Sequence, residues 1–187
     1  YAEEAEKGFL PATGRLDHIA FPPSCRADSA VRSGDDISPF YDPMIAKLIV
    51  HAQSREQALD KLTHALQLTQ VAGAVTNLGF LTALSENPAF RSGDVDTGLI
   101  ARDFEALVAQ KPAPQNAIIA AALAVLDAQF QPNPLSGFTL WSPLQSRLGL
   151  SHKDKLYEVA VAVLGECCHL EYDGNTVEAH YDRRKWQ

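Results

Sequence analysis

The sequence contains few cysteines, and their positions do not suggest a disulfide framework. Its 187 residues include 3 cysteines, Cys25, Cys167 and Cys168, an odd number with two adjacent members. Small secreted domains that rely on disulfides carry an even number of cysteines at separated positions. The sequence therefore predicts a protein of a reducing compartment.

The short motifs of many catalytic and metal sites are also missing. The sequence has no Walker A loop and no GxGxxG, GxSxG or HExxH motif, so it lacks the local signatures of common nucleotide, hydrolase and zinc sites. Adjacent strand residues point to opposite faces, so the run Cys167-Cys168-His169 cannot converge on one ion. We predict no metal site and no self-contained catalytic centre.

Positive charge and long apolar runs are scarce as well. With 16 basic and 23 acidic residues the formal net charge is -7, which argues against nucleic acid and anionic membranes as partners. The longest apolar run is Ala117–Leu126, whereas a membrane-spanning helix needs about 18 to 20 such residues. We predict neither a nucleic-acid partner nor a membrane span.

The sequence does contain enough apolar material for a core. Hydrophobic residues make up 46% of the chain, and its length suits one ordinary domain or two small ones. The run Lys111-Pro112-Ala113-Pro114 stops a helix and stiffens the chain, so we predict domains at 1–110 and 115–187 with a linker at 111–114. The chain opens at Tyr1 without an initiator methionine or a signal-peptide pattern, so we expect a fragment of a longer protein.

The first predicted domain begins with short strands. Alternating side chains predict strands at 16–20 and 25–31. The apolar run Ile45–Val50, bounded by turn residues, predicts a buried strand. The simplest arrangement of these strands is an antiparallel meander.

Helices follow in the same domain. Ser54 and Gln57 have the spacing of a capping box, and Gly73 is suited to end that helix because it tolerates the left-handed conformation. Further helices are predicted from near Thr76 or Asn77, and from near Thr97. Strands followed by helices indicate an α+β domain.

The second domain is predicted to combine one helix with a small antiparallel sheet or barrel. Gln115–Phe130 is apolar on nearly all sides, which predicts a helix buried within its own domain or against a partner. Residues 131–150 have the composition of a loop-rich passage. Alternating apolar residues and an Asp173-Gly174 turn then predict strands around 157–163, 168–172 and 177–181.

Asp42 lies in an aromatic turn between two prolines, directly before the predicted strand Ile45–Val50. The surrounding run Pro39-Phe40-Tyr41-Asp42-Pro43 fixes the carboxylate where it can meet a ligand, a partner domain or another subunit. The alternative is structural, with Asp42 closing an Asx turn and Lys47 extending from a sheet edge. The residues alone leave both alternatives open.

Four segments resemble, in the same order, the signature segments of the C-terminal domain of biotin carboxylases. They are Phe9–Leu16, Tyr41–Ile49, Val75–Leu81 and Asn87–Thr97. The resemblance implies that domain's fold of antiparallel strands and helices. It also implies the family's reaction, the ATP-dependent carboxylation of biotin by bicarbonate through a carboxyphosphate intermediate.

The resemblance suggests roles for three residues. It implies that Asp42 and Tyr41 form a wall of the biotin and bicarbonate pocket, and that Arg26 occupies a dimer-interface position of the stand-alone bacterial enzyme. The alternative for Arg26 is a surface arginine on an edge strand.

The family also implies cofactors and further regions of the same polypeptide. An upstream ATP-grasp region holds MgATP in this family, and a downstream biotinyl domain carries biotin. ATP, Mg and biotin are therefore expected in the full-length enzyme. No cofactor is expected on this fragment, which is predicted to be inactive alone.

The predicted second domain resembles the α subunits of acyl-CoA carboxylases, where a helix plus a small barrel tethers the carboxyltransferase β subunit. Segments 71–78 and 93–103 are most similar to bacterial 3-methylcrotonyl-CoA carboxylases, cytoplasmic enzymes of leucine breakdown. Propionyl-CoA and geranyl-CoA carboxylases stay open as alternatives, as does a non-catalytic adaptor derived from the family.

Overall fold

The chain divides into two compact units that are both built from strands and helices. The structure, a computed structural model, describes residues 1–109, 112–129, 142–152, 155–164 and 167–180. The two units are Tyr1–Gln110 and Lys111–Gln187, called unit 1 and unit 2 below. Both combine antiparallel strands with helices, so the predicted α+β class is confirmed.

The strands of unit 1 form separate antiparallel pairs. They are β1 Glu3–Glu4, β2 Leu10–Pro11, β3 Gly14–Arg15, β4 His18–Ala20, β5 Arg26–Ser29, β6 Asp36–Ile37, β7 Ala46–Ile49 and β8 Gln70–Ala72. Within the described residues the pairs are β1 with β2, β3 with β6, β4 with β8, and β5 with β7. The predicted meander is wrong, because consecutive strands are mostly not partners and β4 instead pairs with a strand that follows the first long helix.

That helix begins where the sequence predicts but ends earlier. Helix α1 spans Arg55–Leu68, and the Ser54 hydroxyl accepts a hydrogen bond from the Gln57 amide at 3.3 Å. The predicted end at Gly73 is wrong because 70–72 leave the helix to pair with β4. Long-range strand pairing here overrides the local helix pattern.

The remaining helices of unit 1 are shorter. They are α2 Leu78–Glu86, α3 Pro88–Ser92, α4 Leu99–Arg102 and α5 Phe104–Val108. The start of α2 after Asn77 agrees with the prediction, and the single helix predicted from Thr97 is divided into α4 and α5. Helix α3 was not predicted, although Asn87 caps it through a hydrogen bond from the Phe90 amide and Pro88 occupies its first turn, a common start signal.

Phe9 joins the N-terminal strands to the helices of unit 1. Its φ of +63° is unusual for a residue with a side chain. The ring packs edge to face against Phe80 at 4.9 Å and Phe104 at 6.3 Å between centroids. Aromatic pairs of this kind contribute about 0.5 to 1.5 kcal/mol each, the same order as the backbone strain.

Unit 2 packs one helix on a four-stranded sheet. Its described elements are α6 Gln115–Gln129, β9 Gln145–His152, β10 Lys155–Leu164, β11 Cys167–Tyr172 and β12 Asn175–His180. The antiparallel sheet has the order β12-β11-β10-β9. Strand β9 shows that residues 145–150 are not loop as predicted, while the rest of the predicted loop up to 141 lies outside the described residues.

The core of unit 2 lies between α6 and the inner face of this sheet. Ile118, Ala122 and Leu126 are buried against β10 and β11 residues that include Val161 and Leu170. Along β11, Cys168 is buried while His169 is exposed, as strand alternation requires. None of the described helices combines the length and apolar character that crossing a bilayer requires.

The first testable prediction concerns Gly73, which has a φ of +100° and leaves no room for a side chain. A Cβ placed there would overlap the carbonyl oxygen of Arg15. We expect Gly73→Ala to lower the free energy of unfolding by about 2 to 4 kcal/mol, because clash and strain add. Gly34→Ala is the matched control, since Gly34 has a φ of +97° but no atom within 4 Å of the added Cβ. Urea unfolding measures the free energy of unfolding of both variants. An equal decrease in the two variants would contradict a clash at Gly73.

The second prediction concerns Tyr157, whose buried hydroxyl has no hydrogen-bond partner among the described residues. We expect Tyr157→Phe to preserve or raise the free energy of unfolding, by up to about 1 kcal/mol, because an unpaired buried hydroxyl carries a desolvation penalty. The phenyl ring keeps its packing and its contact with the Lys155 ammonium. Thermal unfolding measures the change, and a clear loss of stability would show that the hydroxyl has an acceptor.

Candidate functional site

The Asp42 turn projects its side chains away from unit 1. Phe40 and Tyr41 are 94% and 85% exposed, and Asp42 is exposed as well. The Asp42 Oδ1 atom accepts a hydrogen bond from the Met44 amide at 2.9 Å, so the Asx turn of the structural alternative is present. The Asp42 carboxylate can close this turn and still present its negative charge to a ligand. The Asx turn therefore does not decide whether Asp42 has a further role.

The turn is attached to the rest of unit 1 through backbone carbonyls of residues that follow Asp42. The Pro43 carbonyl accepts a hydrogen bond from the Ala2 amide at 2.8 Å. Two residues further along, the Ile45 carbonyl accepts one from the Ser29 hydroxyl at 3.0 Å, and the Ile45 side chain is 5% exposed. These contacts fix the backbone at residues 43–45, which form the base of the turn. The exposed side chains of Phe40, Tyr41 and Asp42 form its tip.

The strand after the turn is less enclosed than predicted. In β7, Lys47 is exposed and Ala46, Leu48 and Ile49 are only half-buried. Among the described strands, β7 pairs with β5 alone. The predicted buried strand is therefore an edge strand, and Lys47 extends from it towards solvent.

One cleft of unit 1 does not contain the predicted site residues Tyr41 and Asp42. It has a volume of about 520 Å³, and neither Tyr41 nor Asp42 lines it. Its walls come from Ile45–Leu48, from leucines of α1 and α2, and from the aromatic rings of Phe21 and Phe90. Sequence reasoning missed this cleft, although the i, i+4 leucine pair of α1 signals an apolar helix face.

Arg26 lies on β5 and is paired within the chain. Its Nε and Nη2 donate hydrogen bonds to the two carboxylate oxygens of Asp28 at 2.9 and 2.8 Å. Both side chains are exposed, and Asp28 lies opposite Lys47 in the strand register. Arg26 is thus a surface arginine on a two-stranded ribbon, and its interface role stays a prediction.

This pairing changes the ionisation of both groups. The hydrogen bonds from Arg26 lower the pKa of Asp28, with a smaller contribution from the Lys47 charge. The hydrogen bond to Asp28 likewise raises the pKa of Arg26. The pair stabilises the fold at pH values above the ordinary pKa of an aspartate, and that stabilisation is lost as the pH falls through the lowered pKa of Asp28.

The third prediction tests this coupling. We expect Arg26→Gln to return the pKa of Asp28 towards its ordinary value, because the bidentate donor is removed. Arg32→Gln is the control, since Arg32 is an exposed arginine outside β5. An NMR titration of the aspartate carboxyl groups measures both, and an unchanged pKa of Asp28 in Arg26→Gln would show that the pair does not form in solution.

Comparison with known families identifies unit 1. The family described as Biotin carboxylase C-terminal domain matches residues 1–102, more than half of the 187 residues. The predicted resemblance to this domain is confirmed. The match includes Tyr41, Asp42 and Arg26.

Individual relatives extend the comparison. The mitochondrial methylcrotonoyl-CoA carboxylase subunit alpha of Dictyostelium discoideum is 38% identical over an alignment of 180 residues, and the match covers 88% of this chain and 26% of that protein. The corresponding protein of Oryza sativa subsp. japonica is 50% identical over 105 residues, covering 54% of this chain and 14% of the relative. The mitochondrial propionyl-CoA carboxylase alpha chain of Caenorhabditis briggsae is 42% identical over 101 residues, covering 52% and 14%.

Two features of these relatives matter for unit 2 and for location. Unit 1 accounts for 110 of the 187 residues, so a match over 88% of the chain extends into unit 2. These relatives are mitochondrial proteins of eukaryotes, not bacterial enzymes like those that segments 71–78 and 93–103 were predicted to resemble.

Solved structures agree with the fold of the domain. The biotin carboxylase domain dimer of Hydrogenobacter thermophilus 2-oxoglutarate carboxylase, crystallised with MgADP, ADP and bicarbonate, matches with a TM-score of 0.56 and 30% identity. The match covers 60% of this chain and 25% of that one. The chain thus spans only a part of the length of the relatives it matches, and that part includes the biotin carboxylase C-terminal domain. The chain belongs to the biotin carboxylase C-terminal domain family.

Proposed function

We propose that the chain is part of the α subunit of a methylcrotonyl-CoA carboxylase, with unit 1 in its biotin carboxylase and unit 2 in the domain that tethers the carboxyltransferase β subunit. The observation that carries the proposal is the similarity to a methylcrotonoyl-CoA carboxylase α subunit over 88% of the chain, beyond unit 1. The match to a propionyl-CoA carboxylase covers 52%, so propionyl-CoA specificity is the second candidate. A bacterial, cytoplasmic setting in leucine breakdown stays part of the proposal.

In the proposed function, the Asp42 turn of unit 1 supplies one wall of the site. The described residues contain no group of three histidine, cysteine or acidic side chains placed to hold a metal ion, so no step through MgATP is assigned to them. The exposed Asp42 carboxylate can accept a hydrogen bond from a ureido N–H of biotin, and the Tyr41 ring offers apolar surface beside it. The rest of the α subunit would supply the MgATP site, and biotin would accept the carboxyl group.

The fourth prediction tests the role of Asp42. In the complete α subunit, Asp42→Asn should lower kcat/KM for biotin carboxylation about tenfold or more, equivalent to about 1.4 kcal/mol of transition-state stabilisation. The asparagine side chain can still accept the hydrogen bond from the Met44 amide and keep the turn. The substitution therefore removes only the charge. Bicarbonate-dependent ATP cleavage with free biotin measures the rate.

Asp94→Asn is the matched control for this test. Asp94 is an exposed aspartate in the loop between α3 and α4, away from the Asp42 turn in sequence, and its substitution should leave the rate unchanged. A non-catalytic adaptor would show no effect of Asp42→Asn on biotin carboxylation in the assembled enzyme. That result, with the fold intact, would remove Asp42 from the site.

The surface of α6 supports the tethering role. Ile118, Ala122 and Leu126 face the sheet, but the helix is not buried on all sides. A row of exposed alanines runs along another side at helical spacing, formed by Ala117, Ala120, Ala121 and Ala124. Small side chains allow a partner to approach a helix closely, so this face is the part of α6 that the β subunit would cover.

The fifth prediction tests this docking. Ala121→Arg should weaken binding of the β subunit at least about tenfold, because a long charged side chain would hold the surfaces apart. Thr176→Arg, at an exposed position of β12, is the control and should bind normally. Pull-down and calorimetric titration measure the affinity. Unchanged binding after deletion of 115–187 would contradict the tethering role altogether.

A further inference from the structure

Asn77 stands at the N-cap position of α2, but its side chain does not cap the helix. An asparagine at this position usually accepts a hydrogen bond from an amide in the first turn, as Asn87 does for α3. Asn77 is only 7% exposed, and buried polar groups are almost always hydrogen-bonded. The question is therefore what its side chain binds in place of its own helix.

The partners of Asn77 lie at the N-terminal end of unit 1. The Asn77 Oδ1 atom accepts a hydrogen bond from the Tyr1 nitrogen at 3.0 Å, and the Tyr1 carbonyl accepts one from the Asn77 amide at 3.2 Å. The Asn77 Nδ2 atom donates a third hydrogen bond to the Glu3 carboxylate at 3.2 Å. Within a longer polypeptide the Tyr1 nitrogen belongs to a peptide bond, and its N–H can donate the same hydrogen bond.

The residue between Tyr1 and Glu3 holds the Asp42 turn. The Ala2 amide donates a hydrogen bond to the carbonyl of Pro43, the residue after Asp42, at 2.8 Å. Ala2 is fully buried and belongs to the same core cluster as Ile45. The segment Tyr1–Glu3 therefore connects Asn77 to residues 43–45, the base of the Asp42 turn.

We propose that Asn77 is a positioning residue for the Asp42 turn, which it holds through the backbone of the segment Tyr1–Glu3. The inference rests on the proposed function, in which the Asp42 carboxylate lies beside biotin. A displacement of about 1 Å at a reacting site can cost about 100-fold in rate. Contacts that support a functional side chain from behind set its position to this precision.

The alternative is that Asn77 only stabilises unit 1, and Asn87 provides the comparison. The Asn87 side chain also makes two hydrogen bonds, one from the Phe90 amide at 3.1 Å and one to the Asp103 carboxylate at 2.7 Å. Asn87→Ala therefore removes as many side-chain hydrogen bonds as Asn77→Ala, but from the helices and not from the segment that holds the turn.

Met44 provides a direct signal from the Asp42 turn. It is the one methionine of the sequence, and its amide donates the hydrogen bond that Asp42 accepts. In the 187-residue chain labelled with ¹⁵N-methionine, Asn77→Ala should shift the Met44 amide resonance, whereas Asn87→Ala should leave it in place. A Met44 resonance that is identical in Asn77→Ala and the wild type would overturn the proposal.

Kinetics in the complete α subunit test the consequence for the reaction. Asn77→Ala should lower kcat/KM for biotin carboxylation at least about fivefold, and Asn87→Ala should leave it within about twofold of the wild type. In a protein that already carries Asp42→Asn, Asn77→Ala should lower kcat/KM by less than about twofold, because the charge that it positions is gone. An equal decrease with and without Asp42→Asn would show that Asn77 acts independently of Asp42, which also overturns the proposal.

An exchange of donor and acceptor gives a second test, which applies even where Asn77→Ala does not fold. Asn77→Asp alone places a second carboxylate beside Glu3 and should lower kcat/KM by repulsion within the contact. Adding Glu3→Gln to it restores a donor and an acceptor, and kcat/KM should return to within about twofold of the wild type. A folded double variant without this recovery would contradict the positioning role.

The measurements also separate the two proposals. A lower rate in Asp42→Asn together with a normal rate in Asn77→Ala would overturn the positioning role and leave the proposed function standing. A normal rate in Asp42→Asn together with a shifted Met44 resonance in Asn77→Ala would remove Asp42 from the proposed site. The connection from Asn77 to the turn would then stand without a role in the reaction.

Discussion

The antiparallel pairing of β7 with β5 is the constraint on which the candidate functional features of unit 1 depend. The Asp42 turn precedes one end of this ribbon, the Arg26–Asp28 ion pair lies on it, and residues 45–48 line the apolar cleft. The ribbon is only four residue pairs long. Two-stranded ribbons of this size are marginal by themselves, so its position depends on what packs around it.

Two kinds of contact hold the ribbon, and they differ in strength. The Arg26–Asp28 pair is exposed, so solvent and salt screen it and it sets local charge more than stability. Burial of Ile45 and the hydrogen bonds that reach Ile45 and Pro43 anchor the base of the turn. The aromatic and acidic tip itself is exposed, so the proposed site requires other parts of the α subunit to pack against it.

Local signals explain which parts of the fold could be predicted. Ser54 begins a helix because its backbone is extended and its hydroxyl accepts a hydrogen bond from the Gln57 amide, and Asp173-Gly174 turns the chain because both residues adopt positive φ values. These effects involve residues close in sequence. The identity of unit 1 was also predictable, because its signature segments are local as well.

Long-range effects explain what could not be predicted. The pairing of β4 with β8 joins residues more than 50 positions apart, and nothing in the helical pattern of 55–73 indicates that its last residues leave the helix for a strand. The cleft likewise depends on bringing β7 against α1 and α2. The role of Asp42 could not be predicted from its sequence either, because an aspartate at this position can close an Asx turn and can also line a binding site.

The central claim is that the β5–β7 ribbon presents Asp42 and Tyr41 to a biotin site that the rest of the α subunit completes. A crystal structure of the complete α subunit with biotin tests it most directly. The account predicts that the Asp42 carboxylate or the Tyr41 ring lies within about 4 Å of the ureido ring. A structure in which this turn faces bulk solvent, with biotin bound elsewhere, would contradict it.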